Sequence, residues 1–307
     1  MSQVAVLEYF DCERLDALLG DAARAVTPEA CDPGEVAVVV SGCGVTVDAE
    51  LPSRYPRTRV AITGSTGYDH MDLDDLRAAG VAAYCTPDYC SREVADFALA
   101  CALAGLRGVV GLDRAMQAGV WEERAAGTTR RVRGSVLGVI GLGKIGSLVA
   151  RDAAALGMRV LASDPVASDE AFATAGAERA EFDALLEASD VVTLHAPYVR
   201  GSKPLLDSDE FALMKQGSIL VNAARAELLD IEALIHGLAA ERPAWAFMDV
   251  WDNEPPLPDD HRLDAPNLVL TPHAAWYSQE ADDALYERIA EVAVTALRGE
   301  TARGLIA

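Results

Sequence analysis

Short runs of Val, Ile, Leu and Ala recur along the chain, and stretches with helical periodicity separate them. Residues 4–7, 36–40, 60–63, 81–84, 136–140, 159–162, 191–194, 219–222, 246–248 and 268–270 read as strands. None alternates apolar with polar positions, which suits parallel strands buried on both faces. Residues 72–79, 93–106, 145–156 and 231–240 read as amphipathic helices between them. This alternation is the βαβ pattern of a doubly wound α/β fold. The strands fall into two groups, separated by a long helical region over 93–117 and an Arg-rich loop over 130–134. A last helix is expected over 278–297.

Composition narrows the picture. A chain of 307 residues is long enough for two domains. Its net charge of −22 argues against non-specific nucleic-acid binding and against docking on anionic membrane. The six cysteines form no CxxC and no zinc-type cluster, so no metal site is expected. The N-terminus lacks a basic region and a cleavage site, and no apolar run is long enough to span a membrane. A cytoplasmic setting is the expectation.

The strongest local signal begins at residue 136. The run Val-Leu-Gly-Val-Ile leads into Gly141-Leu142-Gly143-Lys144-Ile145-Gly146 and then an apolar helix. A GxGxxG between a strand and a helix holds a dinucleotide pyrophosphate on the helix N-terminus. The first glycine permits the turn, the second allows the phosphate to approach, and the third allows close helix packing. The next strand runs to Asp164, placed to accept from a ribose and to repel a 2′-phosphate. NAD(H) is therefore expected over NADP(H). Asp164 before Pro165 also reads, more simply, as a turn former.

Three charged residues follow later strands: Arg225, Glu254 and His273. In a doubly wound sheet all three lie at the carboxyl edge, where ligands bind. A guanidinium can grip a carboxylate and polarise a carbonyl. An imidazole can donate a proton to a carbonyl oxygen, and a neighbouring carboxylate favours and orients its charged form. Taken singly, each could be an ordinary loop residue; together behind a dinucleotide loop they point to hydride chemistry.

With these motifs the chain resembles the D-isomer-specific 2-hydroxyacid dehydrogenases. The likeness rests on GLGKIG, Asp164, LHAP at 194–197, NAAR at 222–225, DVWDNEPP at 249–256 and TPHAAW at 271–276. It implies that Arg225, Glu254 and His273 are catalytic. It also implies that Asp249 contacts the nicotinamide carboxamide, and that His195 and Ala223 lie near the cofactor. On residue chemistry alone, His195 could be a packed strand-end histidine. The AAWYS segment and Asp164-Pro165 resemble the C-terminal-binding-protein branch, which makes Trp276 a candidate pocket wall. Many relatives carry Gly where this chain has Ala226. The resemblance further implies a homodimer through the cofactor domains, with Trp121 and the preceding helix at the interface.

On the substrate side, the resemblance assigns the backbone of Ser65, Thr66 and Gly67 to a substrate carboxylate. Small residues let a backbone approach an anion closely. Ser41-Gly42-Cys43-Gly44 is a second candidate lining, and neither loop carries Lys or Arg. Thr66 and Pro272 depart from the phosphite and formate dehydrogenase patterns. His70, His236 and His261 receive no chemistry.

The expected architecture is a flavodoxin-like domain, residues 1–92 plus 273–307. Into it is inserted a Rossmann domain, residues 93–272, with the site in the cleft. The expected function is NAD-dependent reduction of a small 2-oxo acid or the reverse oxidation. The rival readings are a cofactor-gated, corepressor-like binding protein and a dehydrogenase for a dedicated biosynthetic acid, such as a phosphonate.

Overall fold

The computed structural model describes residues 2–307. The chain divides into two compact units, Met1–Cys90 with Tyr277–Ala307, and Ser91–Trp276.

The first unit holds a parallel sheet of β1 (Gln3–Val6), β2 (Arg24–Val26), β3 (Val36–Ser41), β4 (Val60–Thr63) and β5 (Ala82–Tyr84). Their order is β2-β1-β3-β4-β5. Val4, Ala5, Val38, Val40 and Ile62 are fully buried, so the unbroken apolar runs do mark strands covered on both faces. Helix Cys12–Leu19 is capped by the Asp11 carboxylate and packs against the last helix, Gln279–Leu297. Arg14 joins the two helices: it pairs with Asp282 and Asp283 and lies 3.9 Å over the Tyr286 ring.

The second unit holds β6 (Val136–Ile140), β7 (Arg159–Ser163), β8 (Glu178–Arg179), β9 (Val191–Leu194), β10 (Ile219–Asn222), β11 (Trp245–Met248) and β12 (Leu268–Leu270). All pairs are parallel, in the order β12-β11-β10-β9-β6-β7-β8. From β6 the chain winds outward to β8, then returns to β9 and winds the other way. The reversal between β6 and β9 is the switch point at which doubly wound sheets bind ligands.

Three differences from the sequence reading have local causes. Strands β2 and β8 are short edge strands, and β8 is two exposed charged residues, Glu178 and Arg179, with no apolar run to betray it. The helical region over 93–117 breaks into Ser91–Arg107 and Val109–Gln117 at Gly108, whose φ is 64° and whose missing Cβ would sit 2.8 Å from that of Ala126. The second unit extends to Trp276, so residues 273–276 leave the expected first domain. The cause is Asp249, buried after β11, whose carboxylate accepts from the backbones of Ala274 and Ala275 at 2.9 and 2.8 Å. Among the described residues, no single helix is long and apolar enough to cross a membrane.

Candidate active site in the second unit

The glycine loop joins β6 to helix Lys144–Ala155. Gly141 has φ 91°, and a Cβ there would lie 2.6 Å from the Ala196 nitrogen, so the loop lies directly against the end of β9. A Cβ on Gly146 would overlap the Gly141 carbonyl oxygen, which explains the third glycine. Gly143 is different: a Cβ there meets nothing within 4 Å. Gly143 is also the helix N-cap, without a side-chain capping bond. The N–H groups of Gly143 and Ile145 donate to no protein acceptor among the described residues. An exposed glycine, free amides and a helix N-terminus together suit an anionic pyrophosphate. The loop therefore fits the dinucleotide.

Asp164 is more embedded than its sequence position suggests. One oxygen accepts from Leu142 N–H at 2.7 Å, and the other from Val166 and Ala167, both at 2.9 Å. Burial pushes its pKa up, but these three amides and the nearby Arg179 outweigh burial and hold it below the ordinary carboxylate value. Asp164 thus forms the turn and also ties the glycine loop to the end of β7. Three of about four lone-pair sites are used, which leaves room for one ligand hydroxyl.

His195 follows β9 beside the glycine loop. Its backbone N–H donates to Ile140 O at 2.7 Å, and its ring Nε2 lies 2.9 Å from Thr193 Oγ1. Burial lowers its pKa to about 4, so the ring is neutral at physiological pH.

Arg225, Glu254 and His273 converge at the carboxyl ends of β10, β11 and β12. Asn222, the last residue of β10, turns the chain there: its amide donates to Arg225 O at 2.8 Å and its oxygen accepts from Ala224 N–H at 3.0 Å. Arg225 Nη1 donates to Ala224 O at 2.9 Å, and Ala223 lies in the same turn, half-buried. His273 Nδ1 meets Glu254 Oε2 at 2.7 Å. The other oxygen of Glu254 accepts from Trp251 N–H at 3.0 Å. Burial raises the Glu254 pKa, but the His273 contact, the Trp251 amide and the charge of Arg225 outweigh it, so Glu254 lies below its ordinary value. Its contribution to stability is full above the ordinary carboxylate range and is lost as pH falls through that lowered pKa.

His273 itself has φ 51°, a left-handed conformation uncommon outside glycine. The strain is held by its N–H, which donates to Asp249 O at 2.8 Å, and by the Asp249 carboxylate. That carboxylate accepts from Thr271 Oγ1 at 2.5 Å as well as from Ala274 and Ala275. The resemblance suggested a cofactor contact for Asp249; its contacts within the chain are those of the residue that shapes the histidine turn. Trp276 closes the segment, half-buried.

The sequence reading missed a clamp beneath Glu254. Arg262 forms forked pairs with two carboxylates: Nε and Nη2 reach Asp260 at 2.8 and 2.6 Å, and Nη1 and Nη2 reach Asp252 at 2.8 and 3.1 Å. Asp260 also accepts from the Trp251 indole at 3.0 Å. The clamp closes residues 251–262 into a fixed loop, with Glu254 on it. Its acids and arginine carry no periodicity, so in sequence they look like a solvated loop.

Comparison with known proteins gives the family and the fold. The model of the family "D-isomer specific 2-hydroxyacid dehydrogenase, NAD binding domain" matches residues 99–275. The glyoxylate reductase of Korarchaeum cryptofilum is 34% identical over 263 residues, 85% of this chain and 79% of that protein. The D-3-phosphoglycerate dehydrogenase of Archaeoglobus fulgidus is 35% identical over 260 residues, 85% of this chain but 49% of that longer protein. The D-lactate dehydrogenase of Aquifex aeolicus, solved with NAD and lactic acid, shares the fold with a TM-score of 0.88 at 24% identity, covering 97% of this chain and 96% of that one. The chain belongs to the D-isomer-specific 2-hydroxyacid dehydrogenase family of NAD-dependent oxidoreductases.

Proposed function

We propose that this protein reduces a small 2-oxo acid to the 2-hydroxy acid with NADH, and catalyses the reverse oxidation. The observation that carries the reading is the 2.7 Å contact between His273 Nδ1 and Glu254, close enough to Arg225 for its charge to act on that glutamate. When bound, the nicotinamide supplies the hydride. Arg225 grips the substrate carboxylate and polarises the 2-oxo group. His273 Nε2 gives a proton to the carbonyl oxygen, and ionised Glu254 holds the ring for that transfer.

The loop Gly141, Leu142, Gly143, Lys144, Ile145 and Gly146 is proposed to hold the pyrophosphate, with Asp164 on the adenosine ribose. Asp164 favours NADH, because a 2′-phosphate would meet its charge. His195, Ala223 and Asp249 are proposed to border the nicotinamide half. Trp276, which resembles the C-terminal-binding-protein-like branch, is a proposed substrate contact. The main chain of Ser65, Thr66 and Gly67, in the first unit, is proposed as a binding loop for a carboxylate. None of these three N–H groups donates to a protein acceptor among the described residues. Ser65 Oγ is turned inward to Thr63 and Gly67, and Ser65 O accepts from Thr86 N–H at 3.0 Å, so the loop is rigid.

A homodimer through the second unit is also proposed. Val109, Met116 and Trp121, on and after helix Val109–Gln117, are 55%, 50% and 89% exposed. An apolar cluster of this kind suits a second copy of the same surface. Its mass in solution, with Trp121→Glu as the disrupting variant, tests this.

The reaction is tested by NADH oxidation at 340 nm against glyoxylate, pyruvate, hydroxypyruvate and larger 2-oxo acids, with NADPH in parallel. Turnover with NADH, and a poorer kcat/KM with NADPH that improves in Asp164→Ser, is expected. Bound NADH with no turnover on any acid overturns the reading.

Arg262 provides a further check. Arg262→Met removes both forks and lets the Glu254 loop drift, and misplacement of a catalytic support by 1 Å costs up to about 100-fold in rate. We expect kcat/KM to fall at least about tenfold with a changed pH profile, and Arg262→Lys to be intermediate because it keeps charge without the fork. An unchanged pH profile with only lower thermal stability would limit Arg262 to a structural role.

A further inference from the structure

The turn after β7 is held through both kinds of main-chain group. The Asp164 carboxylate holds its amides, accepting from Val166 and Ala167 N–H. Arg179 holds its carbonyls: Nη1 donates to Asp164 O at 3.4 Å and Nη2 to Ala167 O at 2.9 Å. Nη2 also meets Asp169 Oδ1 at 2.9 Å. The guanidinium lies 3.9 Å over the ring of Phe172, which is buried on helix Asp169–Ala175. One side chain thus joins the Asp164 turn to the helix that follows it.

Arg179 comes from β8, the two-residue edge strand. That strand pairs with β7 through the main chain: Ala180 N–H donates to Ala162 O at 2.9 Å, and Arg179 stands opposite Ala162, two residues before Asp164. The other residue of β8, Glu178, is paired with Arg159 at 3.0 and 2.6 Å. The Arg179 side chain is therefore not what keeps β8 on the sheet. Its contacts are with the turn and the helix.

An arginine beside the acid of a dinucleotide site ordinarily suggests a 2′-phosphate. The donors argue otherwise here. A guanidinium forks onto an anion through Nη1 with Nη2, or through Nε with Nη2. Both forks use Nη2, whose two hydrogens go to Ala167 O and Asp169. A phosphate placed there would also meet Asp169 and Asp164 as like charges. The pair with Asp169 is solvent-exposed and contributes little. The two carbonyls and the Phe172 ring are what hold the side chain.

We propose that Arg179 is a positioning residue for cofactor selection: by fixing the main chain of the Asp164 turn it sharpens the preference for NADH over NADPH, although it carries the charge that a 2′-phosphate would attract. This rests on the reading of Asp164 as the ribose acceptor. Without Arg179 the turn loses the bonds to its carbonyls, and the Asp164 carboxylate moves with the turn. It then holds the ribose less well and confronts a 2′-phosphate less directly. Both effects narrow the preference.

The test is calorimetry of NADH and NADPH binding without an acid substrate, with thermal melts as the check on folding. The proteins are wild type, Arg179→Met, Arg179→Lys, Asp164→Ser, and Asp164→Ser combined with Arg179→Met. The ratio of Kd for NADPH to Kd for NADH should fall about tenfold in Arg179→Met, the effect of one hydrogen bond to a charged group. Arg179→Lys, which keeps the charge without the fork, should lie between. In the combined variant the ratio should match that of Asp164→Ser alone, because Arg179 acts through Asp164. Weakening of both cofactors alike in Arg179→Met leaves the ratio unchanged and overturns the proposal, reducing Arg179 to a structural brace. A ratio that rises in Arg179→Met also overturns it, since Arg179 would then be a partner of the 2′-phosphate. Equal ratios in wild type and Asp164→Ser would remove the ribose reading itself, and the proposal with it.

Discussion

His273→Ala should lower kcat for 2-oxo acid reduction by about 100- to 10,000-fold, the range carried by a positioned general acid. NADH binding should persist, because the glycine loop and Asp164 lie on β6 and β7, away from the β12 turn that carries His273. The side chain of His273 is 30% exposed, so its truncation should leave the melting temperature nearly unchanged. Glu254→Gln separates the two partners. It keeps a hydrogen-bond acceptor for Nδ1 but removes the negative charge that favours a protonated ring. Activity in the reductive direction should then fall, though less than in His273→Ala. Steady-state kinetics across pH reads both effects. A His273→Ala enzyme with nearly full kcat would remove His273 from the proton transfer.

The second large effect is on structure and activity together. Asp249 is 1% exposed and accepts from Thr271, Ala274 and Ala275. Asp249→Ala leaves three donors without their partner, each costing about 1–3 kcal/mol if it stays buried and unpaired. The second unit should lose several kcal/mol, visible as an earlier thermal transition, and the His273 turn should lose its support. Asp249→Asn keeps the size and one accepting oxygen, so its loss should be smaller. Activity should fall further in Asp249→Ala than stability alone explains, measured well below the melting temperature. Equal melting temperatures for the wild type and Asp249→Ala would contradict the structural role.

Much of the site was legible because its parts are local. GLGKIG reads as a phosphate loop within six residues, and the glycines show a positive φ at Gly141, open space at Gly143 and close packing at Gly146. Arg225, Glu254 and His273 could be named because each directly follows a buried apolar run, and the end of a parallel strand is an address at the sheet edge. That Glu254 and His273 touch was not legible. It depends on β11 and β12 being neighbours, a pairing between segments about twenty residues apart. Asp249 was named for a cofactor contact, and its bonds to the histidine turn were not legible, because those partners lie more than twenty residues downstream.

The sequence alone determined what is set by runs of neighbouring residues. These are the alternating α/β pattern, ten of the twelve strands, the dinucleotide loop and the three chemically apt side chains. An apolar run states that a segment is buried, whatever it is buried against. Tertiary structure decided which carboxylate meets which donor: Asp249 with the histidine turn, and Arg262 with Asp252 and Asp260. Those choices depend on strand order and on distances of a few ångströms between segments far apart in the chain, and hydrophobic periodicity carries no information about either.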